Sequence, residues 1–235
     1  MLKRPDANEV HLFLAQLTAT PDQEQTCLGY LNEEERIRAN RFISPLDQQR
    51  FIIAHGILRL LLGRYLQAAP ASIAFTFNAQ KKPALITAAG LRFNLSHSRD
   101  MAVYAFTTSG EIGVDIEKIQ LDEKMNVAER FFSEQETSAL KGLPDHERAA
   151  MFFRFWAKKE AIIKAHGKGL AVPLSSFSVS AATQPEQVSL DQAVWSLYSL
   201  DLHPDYAAAL ALDKPLTRLT LGEVINLEPI FKSMT

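Results

Sequence analysis

The sequence predicts an α+β protein of two similar halves with a ligand cleft between them. Capped helix signals alternate along the chain with short apolar and aromatic runs that are typical of strands. A faint repeat, Arg41–Ser44 (RFIS) and Arg130–Ser133 (RFFS), recurs after 89 residues, and each copy lies between a short predicted helix and a long apolar one. Halves of this size would bury a shared face, and we place their boundary so that they span 1–108 and 109–235.

Capping signals mark where the helices begin. A serine or asparagine followed three residues later by glutamate, or a serine followed by proline, suits the free amides of a first helical turn. These pairs are Asn32 with Glu35, Ser44 with Pro45, and Ser133 with Glu136. We expect the helix after Ser44 to end near Leu66. A second long helix should begin at Pro144-Asp145 and end at Gly167.

Runs rich in β-branched and aromatic residues predict the strands. In chain order, these runs cover residues 73–77, 101–106, 111–117, 194–202 and 206–212. Pro70 separates the first of them from the helix that precedes it, because proline cannot continue a helix. The last two flank the turn residues His203-Pro204-Asp205 and form a predicted hairpin.

The composition is that of an ordinary globular protein and argues against several classes of function. Of the 235 residues, 47% are hydrophobic and 22% are charged, which is too apolar for a disordered chain. Lys+Arg 25 against Asp+Glu 27 gives a net charge of −2, so no global field attracts nucleic acid or an acidic membrane. The single Cys27 excludes an intrachain disulfide and a multi-cysteine zinc site. With no signal-like start and no spanning apolar run, we expect a cytoplasmic protein.

Charge is nevertheless uneven along the chain. Residues 36–64 contain six arginines and one acid, whereas acids dominate residues 111–136. A basic arm and an acidic segment suit a polyanionic ligand and the cation that accompanies it. Two solvated helix surfaces would give the same counts, so charge alone leaves both interpretations open.

The segment IGVDIE alternates strictly between apolar residues and residues that are small or acidic. The core-facing positions of such a strand are Ile112, Val114 and Ile116. Gly113, Asp115 and Glu117 then share the other face, where the glycine leaves room beside the carboxylates. Two acids on one face repel each other unless a cation or water separates them, and oxygen ligands of this kind suit Mg²⁺. An edge strand with a solvated polar face is the alternative interpretation.

The predicted helix over 145–166 carries a carboxylate inside its apolar face. At about 100° per residue, one continuous arc contains Ala149, Phe152, Phe153, Trp156 and Ile163. Glu160 falls within that arc, where an unpaired carboxylate is costly to bury. Lys164 lies one turn later, so an ordinary i, i+4 salt bridge is the alternative. The position of Glu160 inside the arc favours a function.

A third patch combines small polar residues with a histidine. Phe93–Ser98 (FNLSHS) is predicted to be a tight loop whose hydroxyls, amide and imidazole offer donors to a phosphate. Upstream, Pro83 holds Lys81 and Lys82 in a turn. Solvated loops are the alternative interpretation of both segments.

These patches together resemble the signature of 4′-phosphopantetheinyl transferases, and more narrowly the long, pseudo-dimeric type that activates surfactin synthetase. GVDIE at 113–117 is followed by FWAKKEAIIK at 155–164, with Glu160 lying 45 residues after Asp115. Further matching segments are KP at 82–83, NLSH at 94–97, FFS at 131–133 and GKGL at 167–170. The resemblance extends over 36–179, and the combination is far more specific than GVDIE alone.

The resemblance implies a fold and a set of roles for the acids. The family folds as two α+β halves related by a pseudo-twofold axis, with coenzyme A in the cleft between them. Asp115, Glu117 and Glu160 match the residues that hold Mg²⁺ against the pyrophosphate of coenzyme A. Glu160 also matches the base for the carrier serine, and Lys164 matches the lysine beside the leaving group.

The resemblance also implies contacts to the nucleotide end of coenzyme A. The matching residues are Arg50, Lys82, Ser96 and His97, of which Arg50 and His97 lie chiefly at the 3′-phosphate in the family. Two positions depart from the family pattern. Lys81 stands where a glycine usually precedes the Lys-Pro pair, which leaves open which lysine reaches the ligand. Ala157 stands where Ser, Cys or Thr is frequent.

The implied reaction is transfer of 4′-phosphopantetheine from coenzyme A to a serine of an apo acyl, aryl or peptidyl carrier protein, with release of adenosine 3′,5′-bisphosphate. Negative charge crowds around phosphorus in this reaction, so it needs a cation, a base and a group that neutralises the leaving phosphate. We expect a monomer, because two halves supply the face that a shorter relative would obtain by oligomerising. Two rivals remain: a magnesium-dependent phosphodiesterase that attacks with water, and a nucleic-acid module built on the arginines of 36–64.

Overall fold

The computed structural model describes residues 2–86, 90–120 and 125–222, with Leu170 described by its backbone alone. Residues 121–124 of the acidic segment and residues 223–235 of the predicted C-terminal half lie outside the described residues. The α-helices are α1 (Pro21–Tyr30), α2 (Glu33–Ala39), α3 (Pro45–Leu66), α4 (Met125–Phe131), α5 (Glu134–Lys141) and α6 (Asp145–His166). The strands are β1 (Glu9–Gln16), β2 (Phe75–Phe77), β3 (Pro83–Leu85), β4 (Arg92–Ser98), β5 (Met101–Thr107), β6 (Ile112–Lys118), β7 (Glu186–Leu190), β8 (Ala193–Leu200), β9 (Tyr206–Leu212) and β10 (Arg218–Leu221).

Two four-stranded sheets form the framework. The first has the strand order β10-β1-β5-β4, in which β10 runs parallel to β1 and the other neighbours are antiparallel. The second has the order β6-β9-β8-β7 and is antiparallel throughout. The predicted hairpin is confirmed as β8 and β9, while β2 and β3 form a separate small hairpin. The sequence prediction of mixed α and β structure is therefore confirmed.

A long helix packs against each sheet, and a third cluster joins the sheets to each other. Helix α3 shares a core with β5, and α6 packs across β6 and β9. Apolar residues of β1, β5, β6 and β9 meet in the remaining large cluster, so the two sheets share buried surface. Within the described residues, no helix combines the length and the apolar character that crossing a bilayer requires.

The helix starts predicted from capping signals are confirmed. In α2, Asn32 Oδ1 accepts a hydrogen bond from the amide of Glu35 at 2.9 Å, and the Glu35 carboxylate accepts from the amide of Asn32 at 3.1 Å. Ser133 and Glu136 form the same reciprocal pair at the start of α5. Ser44 Oγ caps α3. These caps satisfy amides that would otherwise lack partners in the first turn.

One prediction of local structure was confirmed only in part, and another was wrong. The strand expected at 73–77 is shortened to Phe75–Phe77, because Pro70–Ser72 forms a 3₁₀ turn before it. Phe93–Ser98, expected to be a tight loop, lies within β4, and the turn follows it at Arg99, whose φ is 52°. Asn94, Ser96 and Ser98 occur at every second position and share one face of the strand, which suits side chains that bind a neighbouring strand.

The predicted repeat aligns unlike elements, and its spacing is wrong. Ser44 caps the 22-residue α3, whereas Ser133 caps the 8-residue α5, and α6 begins only at Asp145. The two 22-residue helices begin at residues 45 and 145, which is a spacing of 100 and not 89 residues. The short motif recurs because a capping side chain is favoured wherever a helix starts.

Side chains of β4 hold β6, the edge strand of the second sheet, beside the first sheet. Asn94 Oδ1 accepts from the amide of Val114 at 2.8 Å, and Ser98 Oγ accepts from the amide of Lys118 at 3.2 Å. Ser96 lies between them on the same strand face. Two sheet edges thus meet through a ladder of side chains, which satisfies backbone groups that an open edge would leave unpaired.

Candidate active site

Asp115 on β6 is the centre of the site. Its side chain is only 3% exposed, and its Oδ1 accepts from Ser96 Oγ at 2.7 Å and from Lys164 Nζ at 2.6 Å. Lys164 Nζ also donates to Ser96 Oγ at 2.7 Å. The second oxygen, Oδ2, is buried and has no hydrogen-bond partner among the described residues. Because an unpaired buried carboxylate oxygen is costly, it marks a place that a cation or water would complete.

Gly113 serves a different purpose from the one expected. A side chain at this position would collide with the backbone of α6 at Ala161 and Ala165, so the space beside the strand is filled by the helix. The glycine therefore lets α6 lie directly on β6. This close approach brings Lys164 of α6 within ion-pair distance of Asp115.

Three carboxylates influence one another at this junction. Ser98 Oγ donates to Glu117 Oε2 at 2.8 Å. Burial, followed by the negative charge of Asp115, raises the pKa of Glu117 to about 7, although Ser98 and Lys164 oppose the rise. Burial and the charge of Asp115 also raise the pKa of Glu160. Like charges with raised pKa values in one place are typical of functional sites.

Among the described residues, the carboxylate of Glu160 has no hydrogen-bond or ion-pair partner. The residue is half-buried. Lys164, one turn later, bonds to Asp115 and Ser96 instead. The i, i+4 salt bridge considered as an alternative is therefore not formed. A half-buried carboxylate with a raised pKa is suited to accept a proton.

A cavity of about 250 Å³ lies beside these groups. Glu160 and Lys164 of α6 line one side of it, and the turn between β2 and β3 contributes Lys81 and Lys82. A second cavity, of about 330 Å³, also touches Lys82 but is lined by none of the three acids of the site. The smaller cavity is therefore the candidate active site, because it adjoins the chemistry.

Three hydrogen bonds fasten the β2–β3 turn to its surroundings. Asn78 Nδ2 donates to the carbonyl of Gly167 at 2.8 Å, and Lys82 Nζ donates to the carbonyl of Ala165 at 2.9 Å. Lys82 Nζ also forms an ion pair with Glu111 at 2.8 Å. The ammonium expected at the ligand thus already has two protein acceptors. Its contact with coenzyme A stays a prediction.

His97 of β4 lies in a positive environment. The residue is accessible to solvent on β4, although neighbouring groups crowd the imidazole. Partial desolvation lowers the pKa of His97 to about 4, and the positive charges of His55, Lys164, Arg38 and Arg50 act in the same direction. Desolvation is the main cause of this lowered pKa, and the cations that add to it indicate a positive potential that favours an anionic ligand.

Arg50 ties α3 to the strand that carries His97. Its guanidinium donates to Asp100, in the β4–β5 turn, at 2.6 Å and to Asp47 at 3.1 Å. Both acids are more than half exposed, at 55% and 53% of their side chains. The expected contact of Arg50 with a phosphate stays a prediction, since both charged partners are now protein carboxylates.

Sequence reasoning missed Asn94 and Ser98 as bridging residues, and Arg38 as one of the charges that lower the pKa of His97. The segment NLSHS places polar side chains at alternate positions, which is the same period that separates Asp115 from Glu117. Matching periods on two strands are the signal that could have revealed the ladder. Arg38 offered no such signal beyond its place among the arginines of 36–64.

The acids do not form a complete protein cage for a metal. Over 2–86, 90–120 and 125–222, no group of three or more His, Cys, Asp or Glu side chains is arranged to hold a metal ion by itself. One oxygen of Asp115 is bound to Ser96 and Lys164, which leaves only Oδ2 available. A cation here would need ligands from water or a substrate.

Comparison with known proteins places these residues in a family. Residues 16–109 match the model described as 4′-phosphopantetheinyl transferase, N-terminal, and residues 111–211 match that of the 4′-phosphopantetheinyl transferase superfamily. The chain is 37% identical over 211 residues to the 4′-phosphopantetheinyl transferase HetI of Nostoc sp., covering 88% of each chain. It is 30% identical to Sfp of Bacillus subtilis, over 83% of this chain and 87% of Sfp, and 33% identical to psf-1 of Bacillus pumilus, over 79% and 80%. Since these matches span most of the chain and cover the acids of β6 and α6, the protein belongs to the 4′-phosphopantetheinyl transferase superfamily.

Proposed function

We propose that this protein transfers the 4′-phosphopantetheine group of coenzyme A to a serine hydroxyl of an apo acyl, aryl or peptidyl carrier protein, with release of adenosine 3′,5′-bisphosphate. One observation carries the proposal. In a chain of this superfamily, Glu160 and Lys164 line one cavity beside the buried Asp115, and the Glu160 carboxylate has no partner among the described residues. The arrangement joins a proton acceptor to a cation, and both are needed when a hydroxyl attacks a phosphate.

Glu160 is the proposed base. In the reaction, the carrier serine loses its proton as its oxygen bonds to the β-phosphorus of coenzyme A, and the bond from that phosphorus to the bridging oxygen breaks. The Glu160 carboxylate, which no described residue binds, can accept this proton, and burial raises its pKa from the ordinary range. Lys164 donates to Asp115 and Ser96 and is proposed to neutralise charge that grows on the leaving phosphate.

Mg²⁺ is the proposed metal, held by Asp115, Glu117 and Glu160. The buried Oδ2 of Asp115 lacks a partner among the described residues, and the charge of Asp115 raises the pKa values of the other two acids. A divalent cation would relieve both. Mg²⁺ usually takes one or two carboxylates directly and keeps several waters and substrate phosphates, so at least one of the three acids would hold it through a water. This suits the absence of a complete protein cage in the described ranges. When bound, Mg²⁺ would neutralise charge on the pyrophosphate of coenzyme A.

The nucleotide end of coenzyme A is proposed to contact Arg50, Lys82, Ser96 and His97. Support comes from the cations that surround His97 and from the position of Lys82 on the cavity wall. Ser96 already donates to Asp115 and would link the nucleotide end to the acids. A polyanion with a 3′-phosphate and a pyrophosphate suits this positive rim.

The same proposal extends to the architecture and the setting of the enzyme. We infer two halves, 1–108 and 109–235, related by a pseudo-twofold axis with the ligand cleft between them, in a protein that acts as a monomer in the cytoplasm. The cluster shared by the two sheets supports the monomer, because surface that a half-sized chain would offer to a partner is buried within one chain. Neither nucleic acid nor a membrane is a proposed partner, in keeping with a net charge of −2.

The direct test is modification of carrier proteins. The protein, coenzyme A and Mg²⁺ are incubated with purified apo acyl, aryl and peptidyl carrier proteins, and each carrier is weighed intact by mass spectrometry. We expect at least one carrier to gain the mass of phosphopantetheine, and its Ser→Ala variant to gain none. Consumption of coenzyme A without any carrier would instead identify a phosphodiesterase.

A further inference from the structure

Two adjacent lysines in the β2–β3 turn have different surroundings. Lys82 is partly buried, with 17% of its side chain exposed, and its ammonium bonds to Glu111 and to the carbonyl of Ala165. Lys81 is exposed, and within the described ranges its ammonium forms no hydrogen bond or ion pair. Lys81 nevertheless lines the same cavity as Glu160. Only one of the two lysines therefore has all three ammonium donors available to a ligand.

The backbone at Lys81 is unfavourable for a lysine. Its φ is 64°, in the left-handed region that glycine adopts without a steric penalty. The turn needs no side chain here, since it is closed by the amide of Lys81 donating to the carbonyl of Asn78 at 2.9 Å and by the Asn78 side chain. Lysine at this position therefore strains the backbone, and the strain lies at the wall of the candidate site.

We propose that Lys81 is a ligand-binding residue of this protein, whose ammonium contacts phosphate oxygens of coenzyme A in the 250 Å³ cavity. This inference rests on the proposed function. Lys82 then has a second role beside its proposed contact with the nucleotide end, because its bonds to Glu111 and Ala165 hold the hairpin against α6 and so place Lys81 at the cavity. Two of the three ammonium donors of Lys82 serve these bonds, so Lys81 adds a charge that the hairpin itself does not use.

The test uses a substitution with opposite effects on binding and on stability. Lys81→Gly removes the ammonium and relieves the left-handed backbone, whereas Lys81→Arg keeps the charge. Gln192→Gly is the matched control, because Gln192 also has a left-handed φ, of 65°, and lies in the β7–β8 turn, outside the lining of the cavity. Binding of coenzyme A, dephospho-coenzyme A and adenosine 3′,5′-bisphosphate is measured by titration calorimetry, and the melting midpoint by calorimetric scanning.

Lys81→Gly should weaken coenzyme A binding about tenfold to hundredfold, which is the effect of losing one charge-assisted contact, and should raise the melting midpoint by about 2–4 °C. Lys81→Arg should restore most of the affinity. Gln192→Gly should raise the midpoint without changing binding. A loss seen with coenzyme A but not with dephospho-coenzyme A assigns the contact to the 3′-phosphate. An equal loss with both assigns it to the pyrophosphate.

Wild-type affinity in Lys81→Gly would overturn the inference, as would a loss that Lys81→Arg does not restore. Either outcome leaves the proposed function intact, as long as the wild-type protein binds coenzyme A and modifies a carrier. If the wild-type protein does neither, the proposed function itself fails. The two failures are thus separated by the wild-type measurements.

Discussion

The surroundings of α3 and of α6 are built on the same plan. The fifteenth residue of each helix is a fully buried cation, Arg59 in α3 and Lys159 in α6. Each pairs with the capping-box glutamate of the preceding short helix, Glu35 or Glu136. Each also donates to two carbonyls three residues apart, those of Pro70 and Ile73 or of Leu174 and Phe177. One buried cation in each region thus joins a short helix, a long helix and the loop that follows.

The two regions differ in what the next positions carry. After Arg59 the chain of α3 continues with the buried Leu60, whereas Lys159 is followed by Glu160. The strands differ in the same way. Counted from the ends of their ladders with β5 and β9, Phe13 and Ala15 of β1 correspond to Asp115 and Glu117 of β6. The same arrangement of helix and strand therefore holds an apolar core around α3 and a cluster of acids beside α6. The difference lies in three side chains, Asp115, Glu117 and Glu160.

The largest expected effect tests whether activity depends on Glu160, which stands in α6 where α3 has Leu60. Glu160→Gln keeps the shape of the side chain but removes its charge and its capacity to accept a proton. Turnover should fall by about 10²–10⁴-fold while the fold survives. Initial rates of carrier modification, with coenzyme A and Mg²⁺ saturating, measure the change. Glu147→Gln, at a largely exposed glutamate of the same helix, is the control and should keep the wild-type rate. A rate near wild type in Glu160→Gln would remove this residue from the mechanism.

The second prediction compares the two buried ion pairs directly. Glu136 and Lys159 are 1% and 0% exposed, whereas Glu35, the partner of Arg59, is 14% exposed. Glu136→Gln should lower the free energy of unfolding by about 3–5 kcal/mol, because it leaves a buried ammonium uncompensated. Glu35→Gln should cost about 1–3 kcal/mol, because water reaches that site. Urea unfolding of both variants measures the two losses of unfolding free energy. A larger loss at Glu35 would show that the pairs are not equivalent parts of one plan.

Much of this plan could be predicted from local signals. The capping boxes at Asn32 and Ser133 and the long helices follow from side chains that act within one turn of the chain. The acids could be predicted as well, because IGVDIE needs only the alternation of a strand to put Asp115 and Glu117 on one face. Such signals are contained in a few consecutive residues.

The remainder depends on partners that are distant in the sequence. From the sequence alone, Lys159 would be expected at the surface. In the fold it is buried, and its ammonium donates to the carbonyls of Leu174 and Phe177. Gly113 suggested room for carboxylates, although the space is occupied by α6. The spacing of 100 residues between the starts of α3 and α6 was not evident from the sequence. The motif that recurs, RFIS and RFFS, marks helix starts in general. No local pattern encodes which helix lies on which strand.

Glutamates on β1 and β6 have opposite pKa shifts, which gives the third prediction. Hydrogen bonds from Arg218, from the amide of Asp6 and from Thr220 lower the pKa of the buried Glu9, whereas the pKa of Glu117 is raised. A lowered pKa means that Glu9 stabilises the fold above its ordinary value of 4.5 and that this contribution is lost as the pH falls below it. Glu9→Gln should cost about 1–3 kcal/mol at pH 7 and should flatten the acid side of the stability curve.

Urea unfolding between pH 3 and pH 7, in the presence of a chelator, measures that curve. The exposed Glu134 provides the control, and Glu134→Gln should leave the curve unchanged. If Glu9→Gln loses stability equally at all pH values, its contribution does not depend on its charge, and the contrast between the strands disappears.

The smallest expected effect concerns the ladder that joins the two sheets. Ser98 Oγ donates to Glu117 and accepts from the amide of Lys118, so Ser98→Ala leaves one backbone amide without its acceptor and one carboxylate without its donor. We expect a loss of about 1 kcal/mol in unfolding free energy and a further rise in the pKa of Glu117, because the hydrogen bond opposes that rise. Ser189→Ala, at an exposed serine of β7, should change neither.

The rate of carrier modification, measured against pH, provides the second readout. The acid limb of this rate profile should move to higher pH in Ser98→Ala, since more of the Glu117 population is protonated at a given pH. A loss of stability without a shift of the acid limb would show that Ser98 only joins the two sheets. Its hydrogen bond to Glu117 would then have no effect on the activity of the acids.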